Sequence, residues 1–336
     1  MGCKIDRIEY YLPEYVLTND ELAAQFEDWN SRKIERKTGV RERHIAASEE
    51  TSLDMAVLAA ERVLSGSDRD DIDFVINCTQ TPDFILPGNA GILQDRLNLR
   101  SDIGAIDLSL GCSGFVYGLS IARGLIETQT ASRVLLVTSE TYSKLMHPQD
   151  RVNRTIFGDG AAATIIASDE REGVGQFVFG TDGSGAECLT VPRGGFRSPY
   201  DPEAKEVESG SSGITTENHL YMNGPEIFNF MIERVPALFD ATLDRNSLRK
   251  DDLGYVVLHQ ANRYMLEYAR TKIDVPTEQF HNDLLHTGNT VSSTIPIALK
   301  DASTGDKIGD GDRVFLAGFG LGLSWSGTIV TIRGDL

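Results

Sequence analysis

Cys112 is the side chain best placed to act as a nucleophile. It follows the apolar run 106–110 (IDLSL) and precedes residues 114–126, whose apolar positions have helical spacing. A thiol at the start of a helix meets the positive end of the helix dipole, which lowers the thiol pKa and favours the thiolate. The same position fits a small cysteine buried in a core equally well, which is the state of most free cysteines.

His259 and Asn289 are two polar side chains that follow comparable signals. His259 ends the apolar run 255–259 (YVVLH), and α/β folds bind ligands at the carboxyl ends of buried strands. Asn289 lies between Gly288 and Thr290, just before a helix-like run. Taken alone, each has a more ordinary explanation: a histidine with satisfied hydrogen bonds at a strand end, and an asparagine in a helix cap or Asx turn.

Together the three side chains predict an active site. Each lies at a turn beside a strand end or a helix start, in comparable places of a plan that the chain repeats. The two repeats would bring these turns face to face. A cysteine with a neutral histidine and an asparagine provides one nucleophile and two groups that stabilise an anion.

The elements that must position these turns are short apolar runs alternating with helical patterns. Apolar runs of this length are typical of buried strands, and their alternation with helices predicts an α/β layered fold. The predicted strands are 73–78, 103–110, 133–138 and 161–167, and the predicted helices are 52–64, 90–97 and 114–126.

The second half of the chain repeats the plan of the first. Residues 254–260 (GYVVLHQ) resemble 73–80 (DFVINCTQ), and 312–318 (DRVFLAG) resemble 132–139 (SRVLLVTS), which predicts a weak internal duplication. Residues 180–223 are rich in Gly, Ser, Pro and Glu, and a surface excursion of this length is usually functional or mobile. We therefore divide the chain into an N-terminal half, a connecting excursion and a C-terminal half, at 1–178, 179–223 and 224–336.

Weaker motifs do not predict a nucleotide or metal site. Residues 318–322 (GFGLG) follow a predicted strand, but another strand follows them, whereas a dinucleotide loop needs a helix N-terminus. A turn that offers backbone N–H groups to an oxyanion fits these glycines better. His281 and His286 do not have the spacing of a zinc-protease motif, so no metal site is predicted.

The composition argues against negatively charged partners. The 336 residues include 32 Lys and Arg against 50 Asp and Glu, a net charge of −18, whereas nucleic acid and anionic membranes attract basic surfaces. No run approaches the roughly 18 apolar residues of a membrane-spanning helix. The charged N-terminal segment is unlike a signal peptide, and the four cysteines form no CxxC. These features predict a reduced, cytoplasmic protein.

The chain contains five motifs in the same order in which a known family has them. They are residues 37–46 (KTGVRERHIA), 111–115 (GCSGF), 157–162 (FGDGAA), 259–262 (HQAN) and 288–290 (GNT). In these residues the chain resembles the thiolase-like condensing enzymes, most closely the β-ketoacyl-acyl-carrier-protein synthase III family. The resemblance covers almost the whole chain, and five motifs in the right order are highly specific.

The resemblance implies a doubled βαβαβ fold in five layers and an obligate homodimer. It makes Cys112 the acylated nucleophile, completed by His259 and Asn289, with the backbone N–H groups of Cys112 and Leu321 as the oxyanion hole. An acyl thioester on coenzyme A or carrier protein would acylate Cys112. A malonyl thioester on acyl carrier protein would then lose CO2, and its enolate would attack the acyl group to give a β-ketoacyl thioester. No metal or redox cofactor is implied.

Some positions depart from the family's fatty-acid-initiating members. Lys33 stands where a Trp packs on the coenzyme A adenine, and Tyr264 stands where an Arg is usual. Leu86 stands where a larger aromatic residue of the partner subunit closes the acyl pocket. These differences favour a specialised member that primes an unusual acyl chain or serves a secondary or surface-glycan pathway. By the resemblance, the residues expected to bind substrate or carrier are Lys33, Lys37, Leu86, Arg151, Phe157, Arg263, Arg270 and Lys272.

Three other functions compete with condensation. Some family members move the acyl group to an alcohol or amine without decarboxylation, and these often lack the Asn that Asn289 matches. A papain-like protease shares the order Cys, His, Asn, but its Cys lies in a different motif near the mature N-terminus. A non-catalytic partner subunit usually lacks the Cys. The presence of Cys112 and Asn289 therefore favours condensation.

Overall fold

The computed structural model describes residues 2–26, 29–208 and 213–336, which build two main sheets. The first sheet has the spatial order β1 (Gly2–Tyr11), β7 (Gly160–Asp169), β6 (Arg133–Glu140), β4 (Phe74–Cys78) and β5 (Gly104–Leu108). The second has the order β8 (Val178–Thr181), β15 (Ser324–Thr331), β14 (Arg313–Gly320) and β13 (Tyr255–Leu258). Two-stranded ribbons pair β2 (Tyr15–Thr18) with β3 (Glu42–Ile45), β9 (Leu189–Thr190) with β12 (Tyr221–Met222), and β10 (Val207–Glu208) with β11 (Ile214–Thr215).

Helices cover both faces of each sheet, so the protein has five layers. The α-helices in the described ranges are α1 (Asn19–Ala23), α2 (Ser31–Thr38), α3 (Ser52–Leu64), α4 (Asn89–Arg96), α5 (Gly114–Glu127), α6 (Gly224–Arg245), α7 (Arg263–Lys272) and α8 (Thr294–Thr304). Helices α5 and α8 lie between the sheets, where Leu119 and Leu299 pack in one core with strands of both. Helices α3 and α4 cover the outer face of the first sheet, and α6 and α7 that of the second.

The two sheets have the same topology, which confirms the predicted duplication. In the first sheet, β7 pairs antiparallel with β1 on one side and with β6 on the other. Strand β4 pairs parallel with β6, and β5 pairs parallel with β4. In the second, β8, β15, β14 and β13 pair with the same senses in the same order. A single parallel bridge from Val256 to Phe280 occupies the place of β5. The carboxyl ends of equivalent strands, β4 and β13, therefore occupy equivalent places.

The excursion is more structured than its composition predicts. Two ribbons, β9 with β12 and β10 with β11, lie within it, and the Leu220 N–H donates to the Leu145 carbonyl at 2.7 Å. Strand β8 pairs with β15, so the boundary predicted at residue 178 falls inside a strand of the second sheet. The three-part division at 1–178, 179–223 and 224–336 stays a prediction.

Over the described residues, no helix combines the length and the hydropathy needed to cross a membrane. The four cysteines, Cys3, Cys78, Cys112 and Cys188, are unpaired thiols. A cytoplasmic location stays a prediction.

Candidate active site

Cys112 lies in the turn between β5 and α5, as predicted. Helix α5 begins at Gly114 with Ser113 as its N-cap, so the thiol stands at the start of that helix. The residue is 7% exposed. The backbone N–H groups of Cys112 and Leu321 are close enough to its sulfur to lower the thiol pKa. Two N–H groups this near the nucleophile are the donors that could serve an oxyanion formed on the substrate.

The pKa of the free Cys112 thiol is raised, and the predicted lowering is wrong. Burial, followed by the charge of the nearby Glu140 carboxylate, raises this pKa to about 12, although the N–H groups of Cys112 and Leu321 lower it. The sequence shows the helix start but not the loss of water around the thiol, and the loss of water is the larger effect. The resting thiol is therefore protonated, and its proton must leave as it attacks the substrate.

Strand β14 brings the Leu321 N–H to Cys112 through a close backbone approach. A Cβ on Gly320 would lie 2.9 Å from both the Cβ and the Sγ of Cys112. Only glycine permits that approach. The turn after Gly320 leads into β15 and not into a helix, as the sequence predicts, so it forms no dinucleotide loop.

His259 and Asn289 meet at the same end of β14. The His259 N–H donates to the Ala317 carbonyl at 2.8 Å, and its ring meets the Phe319 ring edge-on with centroids 5.8 Å apart. Asn289 Nδ2 lies 3.5 Å from His259 Nε2. Because Phe319 contacts His259 and the next residue, Gly320, contacts Cys112, the structure brings the three predicted side chains to one place.

Backbone contacts fix the orientation of the Asn289 amide. The Asn289 N–H donates to the Ile156 carbonyl at 2.9 Å, and the Gly158 N–H donates to the Asn289 carbonyl at 3.0 Å. The Val291 N–H donates to Asn289 Oδ1 at 2.8 Å, so the amide NH2 is the end that faces His259. Val291 has φ +56, which is strained for a β-branched residue and is held by this network.

Thr294 holds the other side of the His259 ring. His259 Nδ1 lies 2.7 Å from Thr294 Oγ1, and that hydroxyl donates to the Val291 carbonyl at 3.0 Å. The ring must then donate through Nδ1, which leaves Nε2 as an acceptor for the Asn289 amide. Burial lowers the pKa of His259 to about 3, so the ring is neutral. Sequence reasoning missed Thr294, whose signal was a hydroxyl at the start of a helix just after Asn289.

Three predicted substrate-binding residues lie on one basic rim. Lys33 and Lys37 are exposed on α2, and Arg263 is exposed at the start of α7. The two helices touch where Gly39, which ends α2, lies against the Cβ of Arg263. Their three positive charges therefore share one edge of the molecule.

The remaining predicted residues have different surroundings. The Arg151 guanidinium lies over the Phe26 ring, 4.8 Å from its centroid. Phe157 is buried in the same core as Cys112. Arg270 is bound within its own segment, donating to Glu267 at 3.0 Å and to the Val275 carbonyl at 2.9 Å, whereas Lys272 is exposed. Leu86 is 84% exposed.

A cavity of about 310 Å³ opens beside Leu321. It is lined by Gln80, Ser109, Tyr142, Leu145, Ala186, Leu189, Thr190, Val191, Leu220, Leu321 and Gly322. Sequence reasoning missed Gln80, although it follows β4 as His259 follows β13. A larger cleft of about 520 Å³ lies around Asp312 and Arg313 at the opposite end of β14 and contains none of the predicted residues.

Comparison with known proteins decides the family. Residues 243–332 match the family model described as 3-oxoacyl-[acyl-carrier-protein] synthase III C terminal, and residues 106–183 match 3-oxoacyl-[acyl-carrier-protein] synthase III. A beta-ketoacyl-[acyl-carrier-protein] synthase III from Streptococcus equi subsp. zooepidemicus is 35% identical, over 98% of this chain and 99% of its own. This chain belongs to the 3-oxoacyl-[acyl-carrier-protein] synthase III family.

Solved structures of similar proteins share the fold. A crystal structure of a 3-oxoacyl-(acyl-carrier-protein) synthase III is 46% identical, with a TM-score of 0.97 over 99% of this chain and 100% of that one. A priming β-ketosynthase of a polyketide pathway is 29% identical, with a TM-score of 0.89 over 100% of this chain and 97% of that one. The predicted family, thiolase-like fold and activity are confirmed: the protein is a condensing enzyme and an acyltransferase.

Proposed function

We propose that the enzyme joins an acyl group carried on Cys112 to a malonyl thioester delivered by acyl carrier protein. The observation that carries this assignment is the close approach of Gly320 to the Cys112 sulfur, at the same end of β14 where His259 and Asn289 meet. In the first step the Cys112 sulfur attacks the carbonyl carbon of an acyl thioester. The two N–H groups stabilise the tetrahedral oxyanion, the bond to the donor sulfur breaks, and the thiol proton leaves with the donor thiol.

Condensation follows on the acylated enzyme. The malonyl carboxylate leaves as CO2, and its bonding electrons form an enolate whose oxygen accepts from Asn289 Nδ2 and His259 Nε2. For Nε2 to donate, the ring proton must sit on Nε2, and the Thr294 hydroxyl then donates to Nδ1 instead of to Val291. The enolate carbon attacks the acyl group, and the released Cys112 thiolate takes a proton. This reaction uses no metal or redox cofactor, which stays a prediction.

Substrate delivery is assigned to the basic rim. Lys33, Lys37 and Arg263 carry positive charge at one edge, and phosphate groups occur in both coenzyme A and the carrier's prosthetic arm. Arg151, beside Phe26, and Lys272, exposed at the other end of α7 from Arg263, are assigned the same role. Arg270 donates to Glu267 in α7 and to the Val275 carbonyl just after that helix, so we give it a structural role there.

A homodimer is proposed from the open edge of the first sheet. Strand β5 is the last strand of that sheet, and its Gly104 N–H donates to the Asp73 carbonyl on the β4 side. Because N–H groups alternate along a strand, those of Ala105 and Asp107 point away from β4. The loop that bears the exposed Leu86 is tied to this strand, since the Ala90 N–H donates to the Asp107 carboxylate. Pairing of two β5 strands would place Leu86 against the second copy.

The proposal is tested by incubating the enzyme with a panel of acyl thioesters and then with malonyl-carrier protein. Intact mass should show one acyl group on Cys112, discharged as CO2 is released, and Cys112→Ala should lose both signals. Acylation discharged by an alcohol or amine without CO2 would establish simple acyl transfer instead. Absence of acylation by every donor would refute the assignment of Cys112.

A further inference from the structure

The cavity of about 310 Å³ beside Leu321, to which we assign the acyl chain, has the polar side chain of Gln80 in its wall. We propose, resting on the proposed function, that Gln80 selects acyl groups with a hydrogen-bond-accepting oxygen close to the thioester, of the β-hydroxyacyl class.

The Gln80 amide lies against the residue that precedes Cys112. A Cβ on Gly111 would be 2.5 Å from Gln80 Oε1 and 3.3 Å from Val291 Cγ1. Glycine at position 111 is what admits the amide there. The backbone of Gln80 is fixed too, because its N–H donates to the buried Glu140 carboxylate at 3.1 and 3.3 Å.

Tyr142 determines which end of the amide is free. Its hydroxyl donates to Gln80 Oε1 at 2.6 Å. Tyr142 is only 2% exposed, and its ring packs on Phe157 with centroids 5.4 Å apart, so the hydroxyl is held in place. Across the part of the chain that the structure describes, no protein acceptor pairs with Gln80 Nε2. The amide NH2 of a residue that lines the cavity is therefore left for a ligand.

The rest of the cavity is mainly apolar. Its wall includes Leu145, Leu189, Val191 and Leu220. A saturated acyl chain would fit this wall but would leave the NH2 of Gln80 without a partner beside its first carbons, which is unfavourable. A β-hydroxyl oxygen next to the thioester would accept that N–H while the remaining carbons contact the apolar wall.

The test compares β-hydroxybutyryl-coenzyme A with butyryl-coenzyme A as donors for Cys112. We expect kcat/KM for acylation to favour the hydroxylated thioester by about tenfold, because the β-hydroxyl oxygen accepts from the amide NH2 and a saturated chain offers it no acceptor. Gln80→Leu should reverse the preference, and Tyr142→Phe, which frees the amide without removing it, should reduce it. Thr190→Val removes a different hydroxyl of the same cavity and should leave the ratio unchanged.

Two results would overturn the inference. One is a wild-type ratio near one or in favour of butyryl. The other is an unchanged ratio in Gln80→Leu or Tyr142→Phe enzyme that is still acylated at Cys112. Each of these results still includes acylation of Cys112 by the butyryl thioester, so neither would contradict the proposed function. Failure of both thioesters and every other donor would refute the proposed function and the inference with it.

Discussion

At the scale of single residues, Thr294 can hold the proton of His259 on Nε2 during condensation by donating its hydroxyl hydrogen to Nδ1. Replacing it with valine keeps the shape and removes the hydroxyl that contacts Nδ1. We expect Thr294→Val to lower the rate of malonyl-dependent CO2 release by at least about tenfold, since the enolate loses an oriented donor. Acylation of Cys112, followed by intact mass, should be nearly unchanged.

The matched control is Thr294→Ser, which retains the hydroxyl and should recover most of the CO2 release. Loss of acylation and condensation in equal measure would instead show that Thr294 acts through folding alone.

Glu140 is a buried carboxyl group that ties the end of β4 to the loop after Asn289. It accepts from the Gln80 N–H and from the Ser292 hydroxyl at 3.0 Å. Burial raises its pKa to about 8 from an ordinary 4.5. The folded protein therefore keeps a proton that the unfolded chain releases above pH 4.5. This stabilisation is complete below that pH and is lost as the pH rises through 8.

We therefore expect the free energy of unfolding to fall by roughly 1–2 kcal/mol between pH 6.5 and 8.5. Glu140→Gln has no proton to lose and should show a much smaller change over the same range. Urea denaturation at the two pH values measures both. An equal change in the free energy of unfolding of wild type and variant would contradict the assignment of this pH dependence to Glu140.

The three central side chains were predictable because each follows a local signal at a turn. Cys112 opens a helix, and His259 ends a strand. Thr294 and Gln80 were missed because their roles depend on contacts between distant parts of the chain. The raised pKa of Cys112 was missed for the same reason, since burial is a property of the packed molecule.

At the scale of elements, the central strands and helices were predicted well and the excursion poorly. Strands β4 and β6 are buried on both faces, which produces continuous apolar runs. Helix α3 occupies the predicted residues, and its first turn is closed by a capping box from Thr51 and Asp54. Ribbons β9 to β12 have two residues per strand, too few for any periodicity to show.

The approach of β14 to the Cys112 turn leads to a prediction. In Gly320→Ala the new Cβ would meet Cys112 at 2.9 Å and move the Leu321 N–H away from the sulfur. We expect acylation to slow by about 100-fold, as when one oxyanion donor is lost. The acylation rate is measured by quenching the reaction at successive times and following the mass gain at Cys112.

Gly309→Ala is the control, because no atom lies within 4 Å of a Cβ placed there. It should acylate at the wild-type rate. A folded Gly320→Ala enzyme that is acylated as fast as the wild type would contradict the role of the Leu321 N–H in the oxyanion hole.

At the scale of the whole molecule, the open edge of β5 predicts the oligomeric state. We expect the protein to sediment with twice the mass of one chain. In Ala105→Pro the N–H that points away from β4 is lost while the bonds to β4 remain, so the variant should shift towards monomer. Ala105→Ser keeps the N–H and should stay dimeric. A monomeric wild type would rule out pairing at this edge.

The most direct test of the account is a single turnover of isolated acyl-enzyme. Enzyme carrying a radiolabelled acyl group on Cys112, freed of donor, is mixed with malonyl-carrier protein. We predict that the label moves to a β-ketoacyl-carrier protein with one CO2 released for each acyl group discharged. Label that stays on Cys112 with malonyl-carrier protein, or leaves only to an alcohol or amine without CO2, would contradict condensation at this site.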